Sequence, residues 1–221
     1  MKIILKADDL AGFPGKYEVV PKRWQRFVDI IEKFNIKATI GIIGNSLVFD
    51  DKEYFEWVKK YHKDGLIEFW NHGFLHRQFN FDGETYQEFR DTTSEYQLQL
   101  INYTNKLAKE KLNIEFITFG APYNAIDENT SISLNKTNIT HWLLGIDSFN
   151  GTNLSNRLDI EHPTHVVNLE FFKYNFKQLD YAVVQVHPNN WDENSFVEFE
   201  KYIEFSLSKK NKFILAKDLT V

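Results

Sequence analysis

The sequence predicts a single α/β domain spanning residues 1–221, a distorted (β/α) barrel of about seven parallel strands. Three observations carry this expectation. Strand-like and helix-like patterns alternate from end to end, as in a parallel sheet with crossover helices. No internal repeat, low-complexity tract or linker divides the chain. Reactive side chains fall directly after the strand patterns, where a parallel barrel opens its carboxyl-end face.

The first strand is Lys2 to Ala7, rich in Ile and Leu. Pro21 opens a helix where its missing N–H is harmless; Trp24, Phe27, Val28, Ile31 and Phe34 follow at helical spacing, and Asn35 ends it. Ile36 to Ile43 reads as the second strand, closed by Gly44-Asn45. A helix from Lys52 to Lys63 aligns Tyr54, Trp57, Val58 and Tyr61, and Gly65 stops it. Leu66 to Trp70 is the third strand, a long helical pattern spans Glu84 to Lys111, and Glu115 to Phe119 is the fourth strand. A weaker helix from Asp127 to Lys136 precedes a strand from His141 to Ile146. The polar stretch Asp147 to Pro163 reads as a functional loop over the rim. Val166 to Leu169 is the expected sixth strand and Tyr181 to Val186 the seventh. A helix from Glu193 to Lys209 and a strand from Phe213 to Ala216 close the chain.

Composition narrows the function. With 43% apolar and 26% charged residues the chain is globular, and its 20 Phe, 10 Tyr and 5 Trp are expected to fill a ring-rich core. A net charge of −5, with Lys and Arg scattered among acids, argues against a nucleic-acid partner. A chain of this length buries roughly three quarters of its unfolded surface, so the absence of Cys leaves no deficit and agrees with a reducing compartment. No run approaches the roughly 20 apolar residues that cross a bilayer, and the amino terminus lacks a leader-like segment. A cytoplasmic protein without membrane contact is therefore expected.

The strand ends carry the chemistry. Asp8 and Asp9 follow the first strand, His72 and His76 the third, Gly120-Ala-Pro-Tyr123 the fourth, Asp147 the fifth and His187 the seventh. His-x-x-x-His lets two imidazoles reach one ion, and a carboxylate beside them completes the usual donor set of a catalytic divalent site. Asp8 and Asp9 repel each other unless a cation neutralises them, which frees one to take a proton. His187, emerging from an apolar strand, suits general acid work near neutral pH. The second cluster, Asp159-Ile-Glu-His162-Pro-Thr-His165, reads as a solvated loop, and His62 and His141 as structural.

These residues resemble the polysaccharide deacetylase family. Leu5-Lys-Ala-Asp-Asp9, His72 to His76, Gly120-Ala-Pro-Tyr123 and Val184-Gln-Val-His187 match its motifs in order. The resemblance implies that Asp8 is the general base and that Asp9, His72 and His76 bind one divalent ion, zinc by expectation, with cobalt, nickel or manganese as alternatives. It implies that the Tyr123 N–H holds the oxyanion and that His187 is the general acid, with Asp147 orienting it or capping a loop. Gly120 departs from the family's Arg, a contact expected from Arg157 instead, and Lys6-Ala7 replaces its usual Thr-Phe. The implied activity is removal of an acetyl group from an N-acetylated amino sugar, expected here as a small molecule or oligosaccharide, namely a small glycan or a sugar-nucleotide intermediate. The rivals are another metal-dependent amidase or esterase, and a non-catalytic sugar-binding protein that keeps the metal site.

Overall fold

The computed structural model describes residues 1–12 and 20–219. In chain order the elements begin with β1 (Lys2–Leu10), α1 (Lys22–Phe34), β2 (Ala38–Ile42), α2 (Lys52–Lys63) and β3 (Ile67–Asn71). A hairpin, β4 (Gln78–Phe81) and β5 (Glu84–Gln87), precedes α3 (Ser94–Leu107), which continues as a π-helical turn over Ala108–Leu112. Then come β6 (Thr118–Phe119), α4 (Glu128–Leu134), β7 (His141–Leu143), β8 (Thr152–Leu154), β9 (Arg157–Asp159) and α5 (Leu169–Asn175). β10 (Tyr181–Val186), α6 (Glu193–Ser208) and β11 (Lys212–Phe213) finish the chain.

All strands except the hairpin join one parallel sheet in the order β8-β7-β6-β3-β2-β1-β10-β9, with β11 also on β1. Its two ends are one stretch of chain. Thr152–Leu154 pairs with β7, and after Ser155-Asn156 the next three residues pair with β10. The sheet must therefore curl, which makes it a distorted (β/α) barrel.

Alternation along each strand sorts the side chains into two cores. On β1, Ile3, Leu5 and Ala7 pack outward against Phe27, Val28 and Val58 of the helical layer. Ile4 turns inward with Trp70, Val183 and Tyr181. Lys6 and Asp8 share the parity of Ile4, so the interior turns from apolar to charged on approaching the mouth. Helix ends follow local chemistry. Asp51, Thr93, Asp127, Asn168 and Asp192 each accept a backbone N–H as N-caps, and Asn35 ends α1 in the left-handed region.

Three expectations are corrected. The helix placed at Glu84 begins at Ser94, because Asp82 (φ 50°) and Gly83 (φ 81°) form the two-residue turn of a hairpin. The stretch Asp147–Pro163 is not a loop covering the rim, since its middle supplies β8 and β9. Val166–Leu169 is not a strand; Val167 makes an isolated bridge to Glu161, and Leu169 starts α5 under the cap of Asn168. Among the described residues, no helix is long and apolar enough to cross a membrane.

Candidate metal centre and active site

Two adjacent acids on one strand should point to opposite faces, yet both Asp8 and Asp9 reach the mouth. The backbone explains it. Between Ala7 and Leu10, β1 advances three residues while β2 advances from Ile40 to Ile42, so one residue is bulged. Asp9 takes up the bulge with φ 73°, a left-handed conformation that redirects its side chain.

His72 and His76 leave the end of β3 in a loop held from beneath. Asn71 accepts the Gly73 N–H at 3.0 Å and donates to Ile101 and Asn105 in α3. The buried Glu88 carboxylate accepts backbone N–H groups of Phe74, Leu75 and His76 at 3.3, 2.6 and 2.7 Å. Burial raises the Glu88 carboxyl above its ordinary value, although these donors pull against it. Gly73 sits at φ 70° with no room for a side chain, since a Cβ would come 2.7 Å from Pro122.

Here the donors converge. Asp9 Oδ1 lies 3.0 Å from His72 Nε2 and 2.9 Å from His76 Nε2. Among the described residues Asp9, His72 and His76 are the one group of three or more such side chains able to hold a metal ion. His72 Nδ1 is 2.7 Å from the Gly120 carbonyl, an acceptor, so Nδ1 carries a proton and Nε2 is the ring nitrogen turned to Asp9. Nε2 and the carboxylate oxygen meet at 3.0 Å, a place for a shared proton or for a cation. The donor set fits a divalent ion. Burial works against the Asp9 carboxylate, but hydrogen bonds from both imidazoles hold it far below the usual range. Burial likewise opposes charging His76, and the Asp9 bond outweighs it, raising the imidazole's value.

Asp8 stands between these donors and the opposite wall. It is buried, with Oδ2 at 3.9 Å from His72 Nε2 and 4.0 Å from His187 Nε2. Gln185 Nε2 donates to Oδ2 at 2.7 Å and the Lys6 ammonium donates to the same oxygen. Oδ1 has no hydrogen-bond partner among the described residues.

His187 follows β10 and rests on Glu161. The Glu161 carboxylate accepts the His187 backbone N–H, its Nδ1–H and the Trp191 indole N–H, each at 2.7 Å. Burial lowers the His187 imidazole, but Glu161 and the nearby Asp8 outweigh it, and the net shift is upward. The His165 ring packs edge-on at 4.7 Å. Tyr123, at φ 59° in a short turn opened by Pro122, has a backbone N–H with no partner among the described residues. Its ring lies 4.4 Å from that of His76. A cavity of about 430 Å³ beside Asp9 and His76 is lined by Ile43, Asn45, Ser46, Phe49 and Leu75.

The structure thus gathers Asp8, Asp9, His72, His76 and His187, and sets Tyr123 against His76. It does not bring in Asp147, which is exposed and without hydrogen bond or ion pair among the described residues. The carboxylate that orients His187 is Glu161. Arg157 does not reach Asp8 either, being exposed and bonded to Asp159 at 2.5 Å, and Lys6 makes that contact. The Asp159–His165 stretch is solvated only in part: His162 is exposed and stacked on Phe171, while Glu161 and His165 pack against His187. Sequence reasoning missed Lys6, Glu88 and Glu161. Position two before Asp8 on the same strand face was the available signal for Lys6, and Asp82-Gly83 the signal that Glu88 follows a hairpin.

A family model described as polysaccharide deacetylase matches residues 2–142, more than half of the 221. No curated protein matches the chain by sequence. Solved structures share the fold. A family 4 acetyl xylan esterase from Clostridium thermocellum, in complex with a cobalt ion, is 12% identical, with a TM-score of 0.68 over 99% of this chain and 89% of that one. A peptidoglycan deacetylase from Bacillus subtilis is also 12% identical, with a TM-score of 0.65 over 98% of this chain and 88% of that one. A CE4 family pseudoenzyme from Bacillus anthracis is 16% identical, with a TM-score of 0.69 over 98% of this chain and 64% of that one.

Proposed function

The chain belongs to the polysaccharide deacetylase family, and we propose from its site that it is a metal-dependent hydrolase removing the acetyl group of an N-acetylated amino sugar. The observation that carries this is the position of Asp8, with one carboxylate oxygen about equally far from His72 (3.9 Å) and His187 (4.0 Å). A base between a metal-donor cluster and an acid suits hydrolysis of an amide.

Asp9, His72 and His76 would hold the divalent ion, zinc being the expected metal. When bound, such an ion supplies the Lewis acidity that favours attack of water on the amide carbonyl. Asp8 takes the proton of the attacking water. The Tyr123 N–H donates to the developing oxyanion, a contact typically worth about 3 kcal/mol. His187, bonded through Nδ1 to Glu161, gives its proton to the departing sugar amine, without which the tetrahedral intermediate reverts to substrate.

The expected rim-narrowing loop is absent, because residues 152–154 and 157–159 are strands. Phe49 and Tyr123 stand exposed beside the cleft, flat faces on which sugar rings stack. We therefore favour a small glycan over a lone monosaccharide. The pseudoenzyme among the structural neighbours supports a second reading, a sugar-binding protein without turnover. Acetate release from N-acetyl amino sugars and their oligomers, with bound metal quantified, separates the two. No release from these substrates by fully metallated protein would defeat this reading and leave the binding role or the hydrolysis of another amide or ester.

A further inference from the structure

We infer that Lys6 is a positioning residue of this site, holding the Asp8 carboxylate so that Oδ1 is the oxygen that takes the proton from water. The inference rests on the hydrolase reading above. Its ground is the geometry beneath the mouth. Lys6 is completely buried on the inward face of β1, one side-chain repeat below Asp8. Among the described residues its ammonium meets the Asp8 carboxylate and the face of Trp70 at 5.3 Å. Lys6 and Gln185 both donate to Oδ2, which leaves Oδ1 uncommitted. Gln185 is fixed in turn by Asn124, which donates to its carbonyl at 2.9 Å. The carboxylate is clamped through one oxygen and free at the other.

The neighbours show that this cation has a made place. A Cβ on Gly120 would stand 2.8 Å from Trp70 and 3.2 Å from Lys6 Cε, and a Cβ on Gly41 would stand 2.5 Å from Trp70. Two glycines thus give up side chains so that the indole lies across the barrel with the lysine stem against it. Position 120 can hold no side chain while Lys6 and Trp70 stand. Stability alone does not explain the arrangement, since a buried ion pair is commonly replaceable by apolar residues of equal volume without loss. A buried lysine bonded to the proposed base is better explained by what it does to that base.

The test exploits a chain without cysteine. Lys6→Cys offers a unique thiol that can be alkylated in the unfolded state and refolded. The S-aminoethyl product restores the lysine shape with its ammonium; the S-propyl product restores the shape alone. Lys6→Met gives the neutral comparison without refolding. All forms should bind the same metal equivalents, measured by elemental analysis. The neutral forms should lose on the order of 100-fold in kcat with KM nearly unchanged, the size expected when a reacting group is held slightly out of place. The S-aminoethyl form should recover most of kcat. Equal kcat in the S-propyl and S-aminoethyl forms, or full kcat in Lys6→Met, overturns the inference while leaving the hydrolase reading intact. A wild-type chain without turnover on any acetylated sugar defeats that reading, and this inference with it.

Discussion

The two walls of the mouth are built on different plans. On the β3 side, three donors crowd within one loop and one bulge, and their support is mostly backbone: Glu88 gathers three N–H groups, Asn71 a fourth, and Gly120 offers a carbonyl. On the β10 side a single imidazole faces the cleft, and its support is one carboxylate, Glu161, from the neighbouring edge of the sheet. The first plan fixes the place of several ligands at once, as an ion requires. The second fixes the orientation and charge of one ring, as proton transfer requires. The difference agrees with the division of roles proposed above, ion ligands on one wall and the acid on the other.

The largest expected effects break the walls apart. His72→Ala should reduce bound zinc sharply from about one equivalent, and turnover with it. Asp8→Asn should keep the metal and lose roughly 100- to 10,000-fold in rate, the usual size of an acid–base contribution. Elemental analysis beside acetate release reads both. Loss of metal in Asp8→Asn would merge the base with the ligand set and end the division of labour.

Next in size is the support of the acid. His187 is faced by Glu161, Asp8 and, more distantly, Asp9, by the amide of Gln185 and by the ring of His165. Burial lowers its pKa, and the carboxylates, Glu161 first, raise it above the ordinary value. A general acid works only while protonated, so its rate contribution is lost as pH rises through that raised value. Glu161→Gln removes a negative charge and lowers the value. The alkaline limb of kcat/KM should therefore move to lower pH, with about a 100-fold loss at neutral pH. An unmoved limb would strip Glu161 of this role.

Glu88→Gln tests the other wall's support. The amide keeps one acceptor oxygen but cannot take three backbone N–H groups as a carboxylate does, so the 73–76 loop loosens. Zinc affinity should fall about tenfold, the lower end of what outer-shell partners contribute, while the pH limb of His187 stays in place. A titration showing wild-type affinity would mean the loop is held by Asn71 alone.

What the sequence made legible divides along the same line. His72 and His76 lie four apart and Asp8 and Asp9 are adjacent, so spacing exposes them. The strand β10 and helices α1 and α2 announce themselves by unbroken apolar runs or by helical periodicity between clear caps. Support from a distance is not written locally. Glu161 is 26 residues from His187 in a stretch that looks solvated, and only the pairing of β9 with β10 brings them together. Lys6 reads as an ordinary charged residue in a strand until the parity of Ile4, Lys6 and Asp8 places all three inside. Glu88 was hidden in a helical pattern that the Asp82-Gly83 turn interrupts.

The smallest effect is the sharpest on this point, because it concerns a residue that order along the chain recommends and geometry does not. Asp147 follows the fifth strand pattern, as each reactive group follows its own strand, and an acid there suits the task of steadying His187. In space it lies beyond β7, whereas β10 is flanked by β1 and β9. Its side chain is exposed, and no described residue donates to it. A solvated carboxylate without a partner contributes little to stability and cannot tune a ring held by another acid. Asp147→Asn should thus leave metal content, the pH profile and kcat/KM at wild-type values, with stability changed by no more than about 0.5 kcal/mol. Measured beside Glu161→Gln, it asks whether the orienting carboxylate is chosen by position in the sequence or by contact in the fold. A shift of the alkaline limb in Asp147→Asn comparable to that in Glu161→Gln would show that the acid wall extends across the mouth to β7. The contrast between a wall of many supports and a wall of one would then fail.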